Sequence, residues 1–191
     1  MIPPFPYDFI DEVIITEEEI KKRVTELGHQ IAQDYRASHN LILIGLLRGS
    51  FVFLTDLSRS IGIPLTVDFM ATMSYEGAMS TGAVKLILDH KINIENWDVI
   101  LVDDIIDTGY TVDVVSRLLA TRSPHSLKIC ALLDKVERHR VDIQIDYCGF
   151  VIPDRFVVGY GLDIDEQGRH LPYIATVNLA KYNRPNYRLH Q

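Results

Sequence analysis

The chain has 191 residues, of which 47% are hydrophobic and 24% are charged, and its formal net charge is −7. A chain of this size can bury its own core, so we expect a single domain over residues 1–191. The acidic balance argues against general affinity for nucleic acid or anionic membranes, so any phosphate site must be local. No stretch approaches the about 18 apolar residues of a membrane span, and no signal-peptide pattern is present, which predicts a cytoplasmic protein.

The N-terminal part of the chain predicts an irregular arm followed by a helix. Prolines 3, 4 and 6 stand among aromatic residues, which disfavours regular structure and suggests an arm packed on this or a neighbouring subunit. Thr16 and Glu19 have capping-box spacing, which predicts that a helix begins there. Apolar residues then recur at helical spacing and predict a core-facing stripe. The stripe comprises Ile20, Val24, Leu27, Ile31 and Tyr35.

Two buried strands are each followed by a polar turn and a helical pattern. The first is Leu41–Leu47, with the turn Arg48-Gly49-Ser50 and a helix predicted over Phe51–Ile61. The second is Val99–Val102, within the sequence WDVILVDDIIDTGYT. A continuous β-branched run is typical of a strand buried on both faces of a parallel sheet. The turn between such a strand and its helix is where α/β folds bind ligands, and the N–H groups of a helix start suit a phosphate.

A long hairpin is predicted between these two units. Its strands are Leu65–Met73 and Ala83–Leu88, and Ser74–Gly82 (SYEGAMSTG) forms a small, polar, glycine-containing connection. Connections of this kind often close over substrates, although an ordinary flexible hairpin fits the same pattern.

The rest of the chain alternates short helices and strands without a repeat or linker. A helix is predicted over Val112–Thr121 and a buried strand over Leu127–Leu133. Further short strands are predicted at Asp142–Asp146, Gly149–Ile152, Phe156–Tyr160 and Tyr173–Val177. The alternation in the middle of the chain predicts an α/β fold with a mostly parallel sheet.

Charged residues follow several of the predicted strands at their carboxyl ends. Each alone could be a solvated surface charge, and for Arg48 and Lys135 that reading stays open. Together they predict one site for a phosphorylated, metal-associated ligand. They are Arg48, Asp103, Asp104, Asp107, Lys135 and Asp163.

The chain contains neither a Walker A loop nor a GxGxxG fingerprint. The sequence VILVDDIIDTGYT instead resembles the phosphoribosyl-pyrophosphate (PRPP) motif of type I phosphoribosyltransferases. Further segments resemble the hypoxanthine-guanine members of that family, in the same order along the chain. They are LLRGS at 46–50, SYEGAMSTG at 74–82, LLDK at 132–135, IPDRFVVGYGLD at 152–163 and RHLPYI at 169–174.

The resemblance implies a type I phosphoribosyltransferase fold: a mostly parallel twisted sheet flanked by helices, a small hood from the N- and C-terminal segments, and a mobile hairpin loop. It implies a Mg²⁺-dependent purine salvage reaction, in which the 5-phosphoribosyl group of PRPP moves to N9 of hypoxanthine or guanine. The products are IMP or GMP and pyrophosphate. A homodimer or homotetramer is expected, with PRPP and a 6-oxopurine as small-molecule partners and neither nucleic acid nor membrane.

The resemblance also implies roles for individual residues. Asp107 is the general base or acid at purine N7, although shaping of the loop alone is an alternative. The 5′-phosphate is held by the loop residues Asp107, Thr108, Gly109, Tyr110 and Thr111. The ribose hydroxyls, near Mg²⁺, are held by Asp103 and Asp104. The purine is contacted by Lys135, Phe156, Val157 and Asp163, and Asp163 also binds Mg²⁺. The pyrophosphate is bound by Arg48, Gly49 and Arg169, and the closing loop contributes Ser74 and Tyr75.

Some positions depart from the family pattern or keep an alternative. Arg48 stands where many members have lysine, Asp103 replaces a more frequent glutamate, and Ile164 and Gly168 replace aromatic residues. Adjacent residues of a strand point to opposite faces, so Asp103 and Asp104 can serve one ligand only if the strand ends or twists there. Phe156 could instead be a core residue. A xanthine-preferring enzyme and a PRPP-sensing nucleic-acid-binding regulator are the rival functions.

Overall fold

The computed structural model describes residues 7–74 and 84–182. The proline-rich residues 1–6 and most of the SYEGAMSTG segment therefore lie outside the described residues. The elements, in chain order, are β1 (Ile10–Ile15), α1 (Glu17–Asp34), β2 (Leu41–Leu47), α2 (Phe51–Ile61), β3 (Thr66–Ser74), β4 (Val84–Leu88), β5 (Asp98–Ile106), α3 (Tyr110–Ala120), β6 (Ser126–Asp134), a 3-10 turn (Val136–Arg138), β7 (Tyr147–Val151), β8 (Val157–Val158) and β9 (Ile174–Val177).

The main sheet has six strands in the order β4-β3-β2-β5-β6-β7. All neighbouring pairs are parallel except β3 and β4, which are antiparallel. Leu41 and Leu43 face a core that contains α1 and α2, whereas Ile42 and Ile44 face a second core that contains α3. The apolar runs therefore form strands because both faces are covered, and each fully buried side chain contributes about 1.5–3 kcal/mol. The predicted fold class is confirmed.

The helices begin and end close to the predicted positions. At the start of α1 the Thr16 N–H donates to Glu19 Oε2 (2.8 Å) and the Glu19 N–H donates to Thr16 Oγ1 (3.3 Å), which is the predicted capping box. The whole predicted stripe of α1 is buried. The bounds of α2 agree with the prediction, whereas α3 begins at Tyr110, two residues before the predicted start at Val112.

The ligand-binding edge of the sheet lies between β2 and β5. From β2 the chain crosses through α2 to β3 on one side, and from β5 it crosses through α3 to β6 on the other. Pairing of β2 with β5 ends at Gly45 and Val102, although the strands continue to Leu47 and Ile106. The two strand ends therefore separate at the topological switch point, where open α/β sheets bind ligands.

The predicted strand Asp142–Asp146 is wrong, because this segment is irregular. The next predicted strand, Gly149–Ile152, is found as β7 and begins two residues earlier, at Tyr147. Ile143 and Ile145 pack against the core beside α3, so their alternation reflects burial rather than strand pairing. The Ile129 N–H of β6 donates to the Asp146 carboxylate (2.9 Å), which ties the segment to the sheet through a side chain.

A second, three-stranded sheet has the order β1-β9-β8, with antiparallel pairs. Strand β1 was not predicted, because its sequence IDEVII carries acids on the exposed positions and only Ile10 and Ile15 are fully buried. Arg155 links two strands of this sheet, because it donates to Glu12 Oε2 of β1 (3.0 Å) and to Thr176 Oγ1 of β9 (3.0 Å). Among the residues described here, no helix is both long enough and apolar enough to cross a membrane.

Candidate active site

Two adjacent cavities lie at the end of β5, one where β2 and β5 separate and the other on the side of Lys135 and Phe156. The first, here called the loop cavity, has a volume of about 210 Å³. The second, here called the Phe156 cavity, has a volume of about 250 Å³. Both are lined by Asp104, Ile105 and Asp107, so a ligand bound in one touches the same β5 residues as a ligand bound in the other.

Most of the predicted site residues line one of these cavities. The loop cavity is lined by Arg48, Gly49, Asp103, Asp104, Asp107, Gly109 and Thr111, with Thr72 as a residue that the sequence did not indicate. The Phe156 cavity is lined by Asp104, Asp107, Lys135, Phe156, Val157 and Asp163. Thr108, Tyr110 and Arg169 lie beside the cavities but do not line either of them. Ser74 ends β3, and Tyr75 lies outside the described residues.

The turn after β5 presents a helix start to the loop cavity. Gly109 precedes α3 with φ 86°, a left-handed conformation that suits glycine. No side chain caps the first turn of α3 within residues 7–74 and 84–182. Its backbone N–H groups are therefore available to an anion, and the Thr111 side chain adds a hydroxyl in the cavity wall.

Asp103 and Asp104 both line the loop cavity although they are adjacent residues of β5. The pairing of β5 with β2 has already ended at Val102, so the end of β5 stands free on that side. The Asp104 N–H donates to Asp103 Oδ1 (3.1 Å). The Asp104 carboxylate packs against Gly49: a Cβ added at Gly49 would lie 1.7 Å from Asp104 Oδ2. Any side chain at position 49 would therefore force the Asp104 carboxylate or the turn to move.

Burial makes this pair of acids electrostatically unfavourable. Asp103 is 8% exposed, and burial raises its pKa well above the usual range, with the charge of Asp104 adding to the effect. Burial raises the pKa of Asp104 as well. A cation or a pair of hydroxyl donors in the loop cavity would relieve this cost. The oxygen ligands fit Mg²⁺, which prefers one or two carboxylates together with water and substrate oxygens.

The raised pKa predicts a pH-dependent gain in stability from Asp103→Asn. A folded-state pKa above the unfolded value of about 3.9 means that stability is lost as pH rises through the folded pKa. The variant should therefore have a higher Tm than the unaltered protein at neutral pH, by about 2–4 °C for each kcal/mol gained. The gain should disappear as pH falls below about 4, where the carboxyl group becomes protonated in the unfolded state as well as in the folded state.

Calorimetry of the ligand-free protein across this pH range measures the effect. Asp142→Asn is the matched control, because Asp142 is exposed and outside both cavities. A gain that is equal at all pH values, or the same gain in the control, would contradict the prediction.

Four charged side chains form a cluster at the wall of the Phe156 cavity. Lys135 Nζ lies 3.5 Å from Asp107 Oδ2 and 3.7 Å from Asp154 Oδ1. Arg138 Nε donates to Asp107 Oδ1 (2.7 Å), and its Nη1 donates to Asp154 Oδ2 (3.3 Å). Each carboxylate thus contacts both cations, which orients Asp107. Lys135 is only 7% exposed, so it is not a solvated surface lysine.

The sequence did not single out Arg138 or Asp154 as site residues. Arg138 follows Lys135 by three residues, and the 3-10 turn Val136–Arg138 places residues at this spacing on one side. Asp154 precedes Phe156 in the segment IPDRF. Phe156 is 44% exposed at the cavity, so the alternative that it is a core residue is wrong.

A second set of charges lies beside the loop cavity. Arg169 Nη1 donates to the Gly161 carbonyl (2.8 Å), and its Nη2 lies 2.7 Å from Asp163 Oδ1. Glu166 accepts hydrogen bonds from both Arg169 (3.1 Å) and Arg48. The sequence placed Arg48, Asp163 and Arg169 in one site, and these contacts bring them together. It did not indicate Glu166, which is more than 100 residues from Arg48.

Comparison with known proteins gives consistent matches over most of the chain. Residues 14–165 match the family described as phosphoribosyl transferase domain. A hypoxanthine phosphoribosyltransferase of Salmonella typhimurium is 49% identical over 170 residues, which is 88% of this chain and 96% of that protein. A hypoxanthine-guanine phosphoribosyltransferase of Dictyostelium discoideum is 45% identical over 177 residues, which is 91% of this chain and 98% of that protein.

Solved structures agree with the architecture. The crystal structure of a hypoxanthine phosphoribosyltransferase from Staphylococcus aureus superposes with a TM-score of 0.90 at 42% identity, covering 96% of this chain and all of that chain (100%). A Trypanosoma cruzi hypoxanthine phosphoribosyltransferase, solved in complex with its product IMP, superposes with a TM-score of 0.87 at 39% identity. The aligned region covers 94% of this chain and 100% of the Trypanosoma cruzi chain.

Proposed function

We propose that this chain, which belongs to the hypoxanthine phosphoribosyltransferase family, transfers the 5-phosphoribosyl group of PRPP to N9 of hypoxanthine or guanine. The products are IMP or GMP and pyrophosphate. The observation that carries the proposal is the meeting of two cavities at Asp104 and Asp107. One cavity offers a helix start and carboxylates for a phosphorylated sugar, and the other offers a buried lysine and an aromatic face for a base.

The loop cavity would hold the phosphoribosyl group. The 5′-phosphate would accept hydrogen bonds from the N–H groups of the Asp107–Thr111 loop, which includes Gly109 and Tyr110, and from the Thr108 and Thr111 hydroxyls. The ribose hydroxyls would donate to Asp103 and Asp104, where burial raises the pKa of both carboxyls although the charge of Arg169 acts against this effect at Asp104. This arrangement would place the anomeric carbon C1′ near the boundary of the two cavities.

Mg²⁺ would be held by one or two of the carboxylates of Asp103, Asp104 and Asp163. Within the described residues no three acidic, histidine or cysteine side chains converge as a metal site, so waters and substrate oxygens would complete the coordination. When bound, the ion supplies positive charge that offsets the charge developing on the pyrophosphate oxygens. Arg48 and Arg169, with the backbone at Gly49, would bind the same leaving group.

The Phe156 cavity would bind and orient the purine. Lys135 would donate to O6, Phe156 would stack on the ring, and the backbone at Val157 and Asp163 would meet the other edge. An adenine would present its 6-amino donor to the lysine donor, so it would be disfavoured. As the purine N9 bonds to C1′ and the bond from C1′ to pyrophosphate breaks, Asp107 would take the N7 proton.

The remaining parts of the proposal concern the surroundings of the site. Ser74 and Tyr75 would close over it and exclude water from C1′. The β1-β9-β8 sheet, built from segments near both ends of the chain, would form a hood on a single domain of residues 1–191. We propose a cytoplasmic homodimer or homotetramer that binds neither nucleic acid nor membrane.

A substrate panel tests the proposed function. Initial rates of pyrophosphate release are measured for hypoxanthine, guanine, xanthine and adenine at fixed PRPP and Mg²⁺. We expect turnover of hypoxanthine or guanine and no turnover of adenine. A rate that is highest with xanthine would favour the xanthine-preferring alternative. No release with any base, together with PRPP-dependent retention of nucleic acid in a filter-binding assay, would favour the regulator.

Lys135→Gln should reduce the discrimination between hypoxanthine and adenine by about 10–100-fold, measured as the ratio of their kcat/KM values. The glutamine amide can either donate or accept a hydrogen bond, so it no longer rejects an amino group at position 6. The matched control is Lys128→Gln, because Lys128 is paired at the opposite end of β6 with Asp34 (3.6 Å). A ratio that is unchanged in Lys135→Gln would remove Lys135 from base recognition.

A further inference from the structure

Glu166 lies between the two arginines to which the proposed function assigns the pyrophosphate. Arg48 Nη2 donates to Glu166 Oε1, and Arg169 Nη2 donates to Glu166 Oε2 (3.1 Å). One carboxylate thus bridges two guanidinium groups, with one oxygen on each. A phosphate group could take the place of this carboxylate, because it also presents two anionic oxygens to two guanidinium groups.

A strained turn holds Glu166 in this position. Ile164 and Gln167 exchange two backbone hydrogen bonds of 3.0 Å, so Asp165 and Glu166 are the central residues of a two-residue hairpin. Both have positive φ, 46° for Asp165 and 66° for Glu166, in the left-handed region that asparagine and glycine usually occupy in such turns. The Glu166 N–H also donates to Asp163 Oδ2 (2.8 Å). The backbone therefore directs the Glu166 side chain at a cost, which is typical of functional positions.

The turn is coupled to the loop cavity by close backbone packing. A Cβ added at Gly161 would lie 2.1 Å from the Gly49 carbonyl oxygen. Arg169 donates to the carbonyl of the same Gly161 (2.8 Å). The Arg48-Gly49 turn and the 161–169 segment are thus in direct contact, and both arginines are within reach of one ligand.

The contact of Glu166 with Arg48 is weak enough to be displaced. The Arg48 side chain is 69% exposed and that of Glu166 is 38% exposed, and ion pairs at such exposure stabilise a protein only weakly. Pyrophosphate carries several charges and can accept bidentate hydrogen bonds from a guanidinium, so it would compete with Glu166 first at the exposed Arg48 and then at Arg169, whose side chain is 19% exposed.

We propose that Glu166 is an internal counter-ion for the pyrophosphate subsite. In the ligand-free protein its carboxylate pairs with Arg48 and shares Arg169 Nη2 with Asp163 Oδ1 (2.7 Å). PRPP displaces it on binding, and its return competes with the pyrophosphate product. Glu166 therefore weakens binding of the leaving group and favours its release. This inference rests on the proposed function, because that function assigns Arg48 and Arg169 to pyrophosphate.

The competing explanation is that Glu166 only clamps the two arginines in a productive position. The two explanations predict opposite signs for the effect of removing the carboxylate. Loss of a competitor strengthens binding of pyrophosphate, whereas loss of a clamp weakens it. The sign of the change in affinity therefore distinguishes them.

The test is calorimetric titration of the full chain with pyrophosphate and Mg²⁺, without a purine. We expect Glu166→Gln to bind pyrophosphate about three- to tenfold more tightly than the unaltered protein. The KM for PRPP should also decrease, whereas the KM for hypoxanthine should stay the same. Glu166→Asn is the second variant, because asparagine tolerates positive φ and is too short to bridge the arginines.

Asp165→Asn is the matched control. It removes the same charge from the same turn, but Asp165 accepts from Tyr182 Oη (3.0 Å) and has no contact with either arginine among those described. Its affinity for pyrophosphate measures the effect of net charge alone. Affinity in Glu166→Gln equal to or weaker than in Asp165→Asn would overturn the inference. No binding of pyrophosphate by the unaltered protein would overturn the proposed function and this inference with it.

Discussion

Replacing Asp107 by asparagine should lower kcat by about 10²–10⁴-fold, the usual contribution of a general acid–base group. The side chain keeps its shape, and its oxygen can still accept the hydrogen bond that Arg138 donates to Oδ1 (2.7 Å). An amide cannot take the N7 proton, however. The KM values for PRPP and hypoxanthine should therefore change much less than kcat, and steady-state kinetics with both substrates measures the two effects separately.

Asp154→Asn is the matched control for this variant. Asp154 contacts the same two cations, Lys135 (3.7 Å) and Arg138 (3.3 Å), but it lines neither cavity. Removing its charge should therefore disturb the cluster without removing the proton acceptor, and kcat should fall by less than about tenfold. An unchanged kcat in Asp107→Asn would leave Asp107 only the role of shaping the loop. An equal loss in both variants would assign the effect to the charge of the cluster.

Gly49→Ala should lower kcat/KM for PRPP by about 100-fold, because a displacement of about 1 Å in a site can cost that much in rate. The new Cβ would lie 1.7 Å from Asp104 Oδ2 and 2.4 Å from its Cγ. Either Asp104 must leave its place in the cavity or the Arg48-Gly49 turn must move. Both outcomes separate the ribose-binding acid from the pyrophosphate-binding turn. Overpacking of this kind also costs about 1–3 kcal/mol of stability.

Gly62→Ala is the control that separates stability from the site. Gly62 ends α2 with φ 73° and has open space where a Cβ would be, so alanine there costs backbone strain of about 1–2 kcal/mol without a clash. The two variants should show comparable losses of Tm by calorimetry. At a temperature where both are folded, only Gly49→Ala should show the loss of kcat/KM for PRPP. Equal kinetics in the two variants would contradict the packing argument.

The local elements could be predicted because their causes lie within a few residues. Thr16 and Glu19 begin α1, and the apolar run Leu41–Leu47 forms a strand with the predicted bounds. The segment Asp142–Asp146 was predicted wrongly, because alternating burial produces the same pattern as strand pairing. Strand β1 was missed because its pairing with β9 requires residues more than 150 positions away.

The residue types of the site also follow from the sequence. Arg48, Asp107 and Lys135 each directly follow a strand of the parallel sheet, and the carboxyl ends of parallel strands meet at one edge of a sheet. Asp163 was expected to follow such a strand as well, but it comes after β8 of the antiparallel β1-β9-β8 sheet and reaches the Phe156 cavity from there. The pattern of a buried strand, a glycine-containing turn and a helix likewise predicts the phosphate-binding turn Asp107–Thr111 from the sequence alone. Its resemblance to the phosphoribosyltransferases agrees with the family match over residues 14–165.

Only the tertiary structure decided which of these groups touch each other. The separation of β5 from β2 beyond Val102 lets the adjacent acids share one cavity, although alternation along a strand points them to opposite faces. The contacts of Arg138 with Asp107 and of Glu166 with Arg48 join segments far apart in the chain. Sequence patterns report forces between near neighbours, such as capping, turn geometry and burial. Contacts between strand ends and loops depend on strand order and on where pairing stops, and these are properties of the whole fold.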